Sequence, residues 1–182
     1  LNTRRAPPLA FDDLLVDIAT AYFKATPAIG TVNLRKSYVT ERPETGTLLF
    51  HCDKNSTKFI KFFIYLNDVD ENTGPFCYTE GSHKQKFYDW KKKYRWNHDE
   101  IESAYGKDRI KYLTGKVGDV IVANTTGFHR CIKCQDAERR MLTINYVVHP
   151  EFWLQTSEKI DKDFYDQLPE HKKPVADLLV KE

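Results

Sequence analysis

Apolar and polar positions change their rhythm near the start of this chain. Residues 10–25, AFDDLLVDIATAYFKA, place Phe11, Leu14, Leu15, Ile18, Ala19 and Tyr22 at helical spacing, which predicts an amphipathic helix. Asp12 and Asp13 stand at its start, where the helix dipole favours carboxylates. From residue 30 the period is two. Residues 31–39 alternate, with Val32, Leu34, Lys36 and Tyr38 on one face. A turn at 43–46 leads to a strand over 47–53, and 58–66 (KFIKFFIYL) is dense in β-branched and aromatic residues, with Ile60, Phe62, Ile64 and Leu66 sharing a face. A polar turn over 67–75 ends in Gly74-Pro75; a short strand at 76–79 precedes Gly81-Ser82-His83. Strands follow at 119–124 and 139–149, separated by the Thr-Thr-Gly bend before His129, and the charged tail carries short helices near 157–167 and 173–181. No internal repeat is present. Short strands with turn signals, flanked by helices, predict a mainly β fold, a double-sheet jelly roll with helical buttresses.

Residues 84–112 differ in texture. Basic and aromatic residues interleave (KQKFYDWKKKYRW), then residues 99–105 form a short helix. The segment reads as a lid or insert leaving the sheet. Binding to nucleic acid is the alternative, since stacking and phosphate contact need these residue types, but the basicity is local. The whole chain carries a net charge of only +2. Its 182 residues fit one domain spanning 1–182 with a single core. No apolar run of about 18 residues signals a membrane helix, and the start LNTRRAPPLAFDD lacks the order of a signal peptide. The chain begins at Leu1 without Met, which suggests a shortened N-terminus. Four cysteines do not form a disulfide framework. Cys131 and Cys134 make a lone C-x-x-C without a second zinc-ligand pair, so reduced thiols in a cytoplasmic protein are expected.

The candidate chemistry begins at His51-Cys52-Asp53. On a strand, His51 and Asp53 project to one face and Cys52 to the other. With His129 they supply two imidazoles and a carboxylate, the ligand set of a facial iron(II) site that keeps positions open for substrate and oxygen. The bland alternative is a surface histidine beside a turn aspartate. Arg139 and Arg140 are adjacent on a strand, so they face opposite sides. Arg140 shares its face with Leu142, Ile144 and Tyr146; Arg139 shares the more polar face of Met141, Thr143 and Asn145. An arginine on an apolar face needs a buried anion, and a dicarboxylate co-substrate supplies one; a structural salt bridge is the alternative. Lys36 either assists that carboxylate or snorkels to the rim, and Tyr38 is either core or a hydroxyl at the mouth. His83 reads as a loop residue, His98 and His149 as solvated, and Asn67 and Asp68 as turn residues.

At His51-Cys-Asp53, FIKFFIYLNDVDENTGPF, GSHK (81–84), GDVIVANTTGFHR (118–130) and Arg140, eleven residues after His129, the chain resembles the phytanoyl-CoA dioxygenase (PhyH-like) family of Fe(II)- and 2-oxoglutarate-dependent oxygenases. The resemblance covers roughly residues 30–148 and implies a double-stranded β-helix of the jelly-roll, cupin-like kind. It implies that His51, Asp53 and His129 hold Fe(II) and that Arg140 grips the distal carboxylate of 2-oxoglutarate. Lys36, Tyr38 and Cys131 then join the co-substrate site. Many members carry serine where Cys131 stands, and the thiol donates only weakly. The implied reaction consumes O2 and hydroxylates a C–H bond of a small-molecule or carrier-bound metabolite, releasing succinate and CO2. Related halogenases lack the carboxylate ligand, so Asp53 argues for hydroxylation. Two other readings stand beside this one. An AlkB-like demethylase would act on nucleic acid, although ERRMLTINY fits its arginine motif poorly. A non-catalytic jelly-roll module would keep a metal for stability, leaving the arginine without a use. The prime substrate and the oligomeric state are not encoded in any motif.

Overall fold

A computed structural model describes residues 6–86, 93–148, 159–177 and 179–180. In chain order the elements are α1 (Ala6–Leu9), α2 (Asp13–Phe23), β1 (Ala28–Ser37), β2 (Phe59–Tyr65), β3 (Phe76–Thr79), α3 (His98–Tyr105), β4 (Ile110–Leu113), β5 (Val120–Ala123), β6 (His129–Cys131), β7 (Arg139–Val147), α4 (Lys162–Asp166) and α5 (Lys173–Ala176). The strands make a four-stranded sheet ordered β1–β7–β2–β5 and a three-stranded antiparallel sheet ordered β4–β3–β6. This is a mainly β double-stranded β-helix with flanking helices. The chain divides into two compact units, Leu1–Arg35 with Asn55–Phe63 and Leu142–Glu182, and Lys36–Lys54 with Ile64–Met141.

In the first unit α2 opens where Asp12 accepts from the amides of Leu14 and Leu15, at 3.0 and 3.4 Å, which satisfies two orphan donors of the first turn. It stops at Lys24, whose left-handed backbone (φ 59°) closes the last turn onto Thr20. Leu15, Ala19 and Phe23, four residues apart, form the buried stripe. Phe62 packs edge-on against Tyr146 at 5.2 Å, and the Tyr146 hydroxyl donates to the Ala10 carbonyl at 2.7 Å. β2 lies between two neighbours in its sheet, and Phe59, Ile60, Phe62, Phe63, Ile64 and Tyr65, which point to both faces, are all buried. Burial on both faces explains why this run shows little polar alternation. Leu66 lies past the strand end and is exposed, contrary to the shared face expected for it.

The second unit holds the three-stranded sheet. Phe50, Cys77, Trp96, Ile101, Tyr105, Ile110 and Phe128 form its buried cluster. A capping box, in which the Asn97 side chain accepts from the Glu100 amide and Glu100 accepts from the Asn97 amide, starts α3. Two expectations change here. Of the stretch 84–112 expected as a lid, 87–92 lie outside the described residues. The remainder is tied into the fold: Trp96 bridges Phe50, Ile101 and Tyr105 are core, and residues 110–112 belong to β4. The apolar residues that do this are spaced among charged ones, which hid them in the composition. Residues 47–53 do not form a continuous strand. Gly46 (φ 58°) starts a 3-10 turn over Gly46–Leu48, and only single bridges follow, Phe50 to Trp96 and His51 to His129. The expected strand at 139–149 is β7 as far as Val147; His149 and the first residues of the expected tail helix lie outside the described residues.

Candidate metal centre

The backbone brings the three candidate ligands together before any side chain does. His51 and His129 exchange amide–carbonyl hydrogen bonds, both 3.0 Å, and the Asp53 amide donates to the Thr125 carbonyl at 2.8 Å. Phe50 belongs to the buried cluster and Cys52 packs against it, so His51 and Asp53, alternating with them, take the other face. Each imidazole Nδ1 lies 2.9 Å from a carbonyl two residues back, Leu49 for His51 and Gly127 for His129. A carbonyl only accepts, so Nδ1 carries the proton of each neutral ring and Nε2 presents a lone pair. His129 Nε2 is 3.3 Å from one Asp53 oxygen, and His51 Nε2 is 3.9 Å from the other. All three ligand atoms fall within 4.8 Å of one another. Two imidazole nitrogens and a carboxylate oxygen this close could hold a metal ion, and a divalent metal with nitrogen and oxygen ligands fits the donor set. Burial, then the charge of His129 and a smaller contribution from Arg95, pushes the His51 pKa down to about 4, against the Leu49 carbonyl and Asp53. The ring is therefore neutral and ready to ligate near pH 7.

Aromatic side chains back this centre. Phe128, next to His129, meets Trp96 at 4.7 Å and Tyr105 at 5.7 Å. Arg130 reaches the segment that leads to His51: its guanidinium donates to Glu44 at 3.1 Å and to the Leu48 carbonyl at 3.4 Å, and lies 5.0 Å over the Phe50 ring. Gly127 is required by space, since a Cβ there would stand 2.3 Å from the Tyr78 hydroxyl.

The arginines reverse the sequence expectation. Arg140 is exposed and bonded through its guanidinium to Glu138, with Nε 2.8 Å from the carboxylate. Arg139 is 2% exposed; it donates to the Gly74 carbonyl and, at 3.0 Å, to Ser37 Oγ. Its Nε is buried without a partner among the described residues. The reason is that β7 is buried on both faces from Met141 to Val147, so apolar neighbours do not mark the inward side. Thr143 and Asn145 share Arg139's face of the strand and are buried with it, so the polar face is also an interior one. Lys36 pairs with Glu138 at 2.6 Å and lies 4.9 Å over the Tyr38 ring, and Tyr38 itself is exposed. Neither lies with Arg139; Ser37 between them does, which sequence reasoning missed. Cys131 is half-buried on β6, two residues past His129 and so on its face, paired in register with Phe76. All four cysteines are free thiols.

Residues 10–133 match the family model described as phytanoyl-CoA dioxygenase (PhyH). No curated protein matches the sequence. Among solved structures, AviO1 from Streptomyces viridochromogenes Tue57 is similar with a TM-score of 0.60 and 16% identity, over 83% of this chain and 65% of that one. SnoK, a non-heme alpha ketoglutarate dependent carbocyclase from nogalamycin biosynthesis, aligns with a TM-score of 0.54 and 16% identity, over 77% of this chain and 57% of its own. HygX from Streptomyces hygroscopicus with iron bound gives 0.51 and 18%, over 87% and 71%. This chain thus spans under two thirds of AviO1 and of SnoK. Among the described residues no helix is long and apolar enough to cross a membrane.

Proposed function

The chain belongs to the phytanoyl-CoA dioxygenase (PhyH) family, and from that premise we propose that it is an Fe(II)- and 2-oxoglutarate-dependent oxygenase hydroxylating a small-molecule or carrier-bound metabolite. The observation that carries this reading is the convergence of His51 Nε2, His129 Nε2 and an Asp53 oxygen within 4.8 Å. Those three residues would hold the metal. Ferrous iron with 2-oxoglutarate and O2 supplies the oxidising power for a C–H bond and leaves succinate and CO2.

The protein's own contribution is placement. Carbonyls of Leu49 and Gly127 accept from Nδ1 of the two imidazoles, which leaves Nε2 of each ring turned to the metal. Asp53 provides the anionic ligand, and its amide bond to Thr125 holds its backbone in place. Arg139, rather than Arg140, takes the distal carboxylate of 2-oxoglutarate; its orphaned Nε is the donor such a group would satisfy. Cys131 stands near as a weak donor, and Lys36 and Tyr38 have no part in the pocket. Trp96 of the basic segment is 2% exposed and serves the core, and the substrate proposed is a small molecule rather than nucleic acid. Four free thiols and a ferrous ion suit a reducing cytoplasm.

The test is succinate formation from 2-oxoglutarate by the iron-loaded protein under air. Wild type is expected to form succinate, and Asp53→Ala to lose both this and iron binding. Succinate formation that survives Asp53→Ala would refute the site.

A further inference from the structure

We propose that Arg130 is a positioning residue for His51: its guanidinium grips Leu48 and Phe50, the residues on either side of the carbonyl that orients the imidazole. The inference rests on the metal-centre reading above and names what holds one of its ligands in register.

The segment that delivers His51 has little of its own to hold it. It leaves the 3-10 turn Gly46–Leu48 and is then tied by two single bridges, Phe50 to Trp96 and His51 to His129. Leu49, between the turn and the first bridge, carries the carbonyl 2.9 Å from His51 Nδ1. If that peptide rotated, the imidazole would turn with its acceptor.

Arg130 is placed to stop the rotation. It directly follows His129, and strand alternation sends its side chain to the face opposite the imidazole. There it stands in register with Cys77, a member of the buried cluster that also holds Phe50. From this side the guanidinium donates to the Leu48 carbonyl at 3.4 Å and to Glu44 at 3.1 Å, and it lies 5.0 Å over the Phe50 ring. One residue thus joins both imidazole-bearing segments, through the chain at His129 and through its side chain on both sides of Leu49. The two imidazole rings themselves lie 4.2 Å apart.

An ion pair alone does not explain this placement. Arg130 is 9% exposed, and its Nε is buried with no partner among the described residues, which costs stability. The Glu44 side chain is 41% exposed, and solvent-screened pairs contribute little. A cost that the pair does not offset, borne beside the ligands, marks a role in the site.

The test reads His51 itself in the metal-free protein, by imidazole-nitrogen NMR at one pH near neutrality. Cobalt(II) affinity and the visible cobalt spectrum are read in the loaded protein. Wild-type His51 is expected to show a protonated Nδ1 and a bare Nε2. Arg130→Met, which keeps the stem and removes the donors, should shift or broaden that signal and weaken cobalt binding about tenfold or more, with an altered spectrum. Arg130→Lys keeps the charge without the fork and should fall between the two. Glu44→Gln should stay near wild type in all three readouts, since the grip on Leu48 and Phe50 remains. The proposal fails if the His51 signal and cobalt affinity of Arg130→Met stay at wild-type values, even with a lower melting temperature, which is what a merely structural residue would give. It also fails if Glu44→Gln matches Arg130→Met, which would assign the effect to the ion pair. Should Arg130→Met not fold, Arg130→Lys decides, and wild-type values in both readouts overturn the proposal. A wild type that takes up no cobalt would refute the metal-centre reading instead, while the His51 signal of the metal-free variants still judges Arg130.

Discussion

The candidate metal centre and the surroundings of Arg139 are built in opposite ways, although both involve charged side chains. At the metal centre the main chain does most of the positioning. His51 and His129 exchange hydrogen bonds, Asp53 is bonded to Thr125, and both imidazoles lean on carbonyls of their own segments. At Arg139 one long side chain reaches Gly74 and Ser37 and keeps a buried donor without a partner among the described residues. A site fixed by backbone register should fail only when its packing fails. A site hung on one side chain should be lost with that side chain while the fold survives.

The severest way to break the first half of that contrast is Phe128→Ala. Phe128 is fully buried against Trp96 and Tyr105, and its backbone joins Ser82 and Thr79. Removing the ring is expected to cost about 3–5 kcal/mol in urea denaturation. Cobalt(II) at about a hundred times its Kd should restore roughly 2.7 kcal/mol of that, provided the surviving fold keeps the ligand register. A variant that is unstable yet shows no cobalt-dependent gain would mean that packing sets the ligand geometry more finely than the bridges do.

Next in size is the arginine pair. Arg139→Met should raise the Kd for 2-oxoglutarate by about a hundredfold, the scale for removing one partner of a desolvated charge pair. Cobalt affinity without 2-oxoglutarate should stay close to wild type. Arg140→Met should leave the 2-oxoglutarate Kd within about twofold, because the exposed guanidinium of Arg140 is held by Glu138. Isothermal titration with both variants decides between the two residues; a large loss in Arg140→Met would restore the assignment that the family resemblance implies.

That reversal shows where the sequence is legible. The helix of residues 10–25 and the short strand at 76–79 carry their own periodicity and caps, and appear as α2 and β3. The parity of His51 and Asp53 needs only alternation, which survives although 47–53 is not a ladder. The choice between Arg139 and Arg140 needs knowledge of which face of β7 lines the pocket. With burial on both sides, hydropathy carries no such information, and Thr143 and Asn145 were the residues that did. The segment 93–112 failed for a related reason: Trp96, Ile101 and Tyr105 are core residues dispersed among charges, so their partners Phe50 and Phe128 are visible only in three dimensions.

Gly127→Ala is a smaller intrusion that tests whether the metal centre tolerates a shift of one loop. The added methyl would meet the Tyr78 hydroxyl at 2.3 Å and Ser82 Oγ at 2.9 Å. Tyr78 must then release the Asn124 carbonyl, now 2.9 Å away. The expected loss is about 1–3 kcal/mol, the range for overpacking. Because the Gly127 carbonyl orients His129, cobalt affinity should fall as well. Tyr78→Phe in the same background should return part of both, since it removes the atom that collides most closely; no recovery would place the strain at the retained ring carbon Cζ, 2.8 Å away, or at Ser82.

The smallest expected effect bears most directly on the edge of the arginine pocket. Lys36 forms an ion pair with Glu138, each side chain 33% exposed, and Glu138 also holds Arg140. Lys36, then Arg140, draws the Glu138 carboxyl below its ordinary pKa, so Glu138 is ionised at neutral pH and both cations already have an anionic partner without any co-substrate, although the trio keeps one net positive charge. Solvent screens such a cluster, and surface pairs of this kind contribute little to stability. Lys36→Ala should therefore leave both the urea midpoint and the 2-oxoglutarate Kd unchanged within error, while Ser37→Ala, one residue along β1 and bonded to Arg139, should weaken 2-oxoglutarate binding a few-fold, about the worth of one hydrogen bond. If Lys36→Ala weakens binding more than Ser37→Ala, the inward face of β1 is the one bearing Lys36, and Arg139 cannot be the anchor.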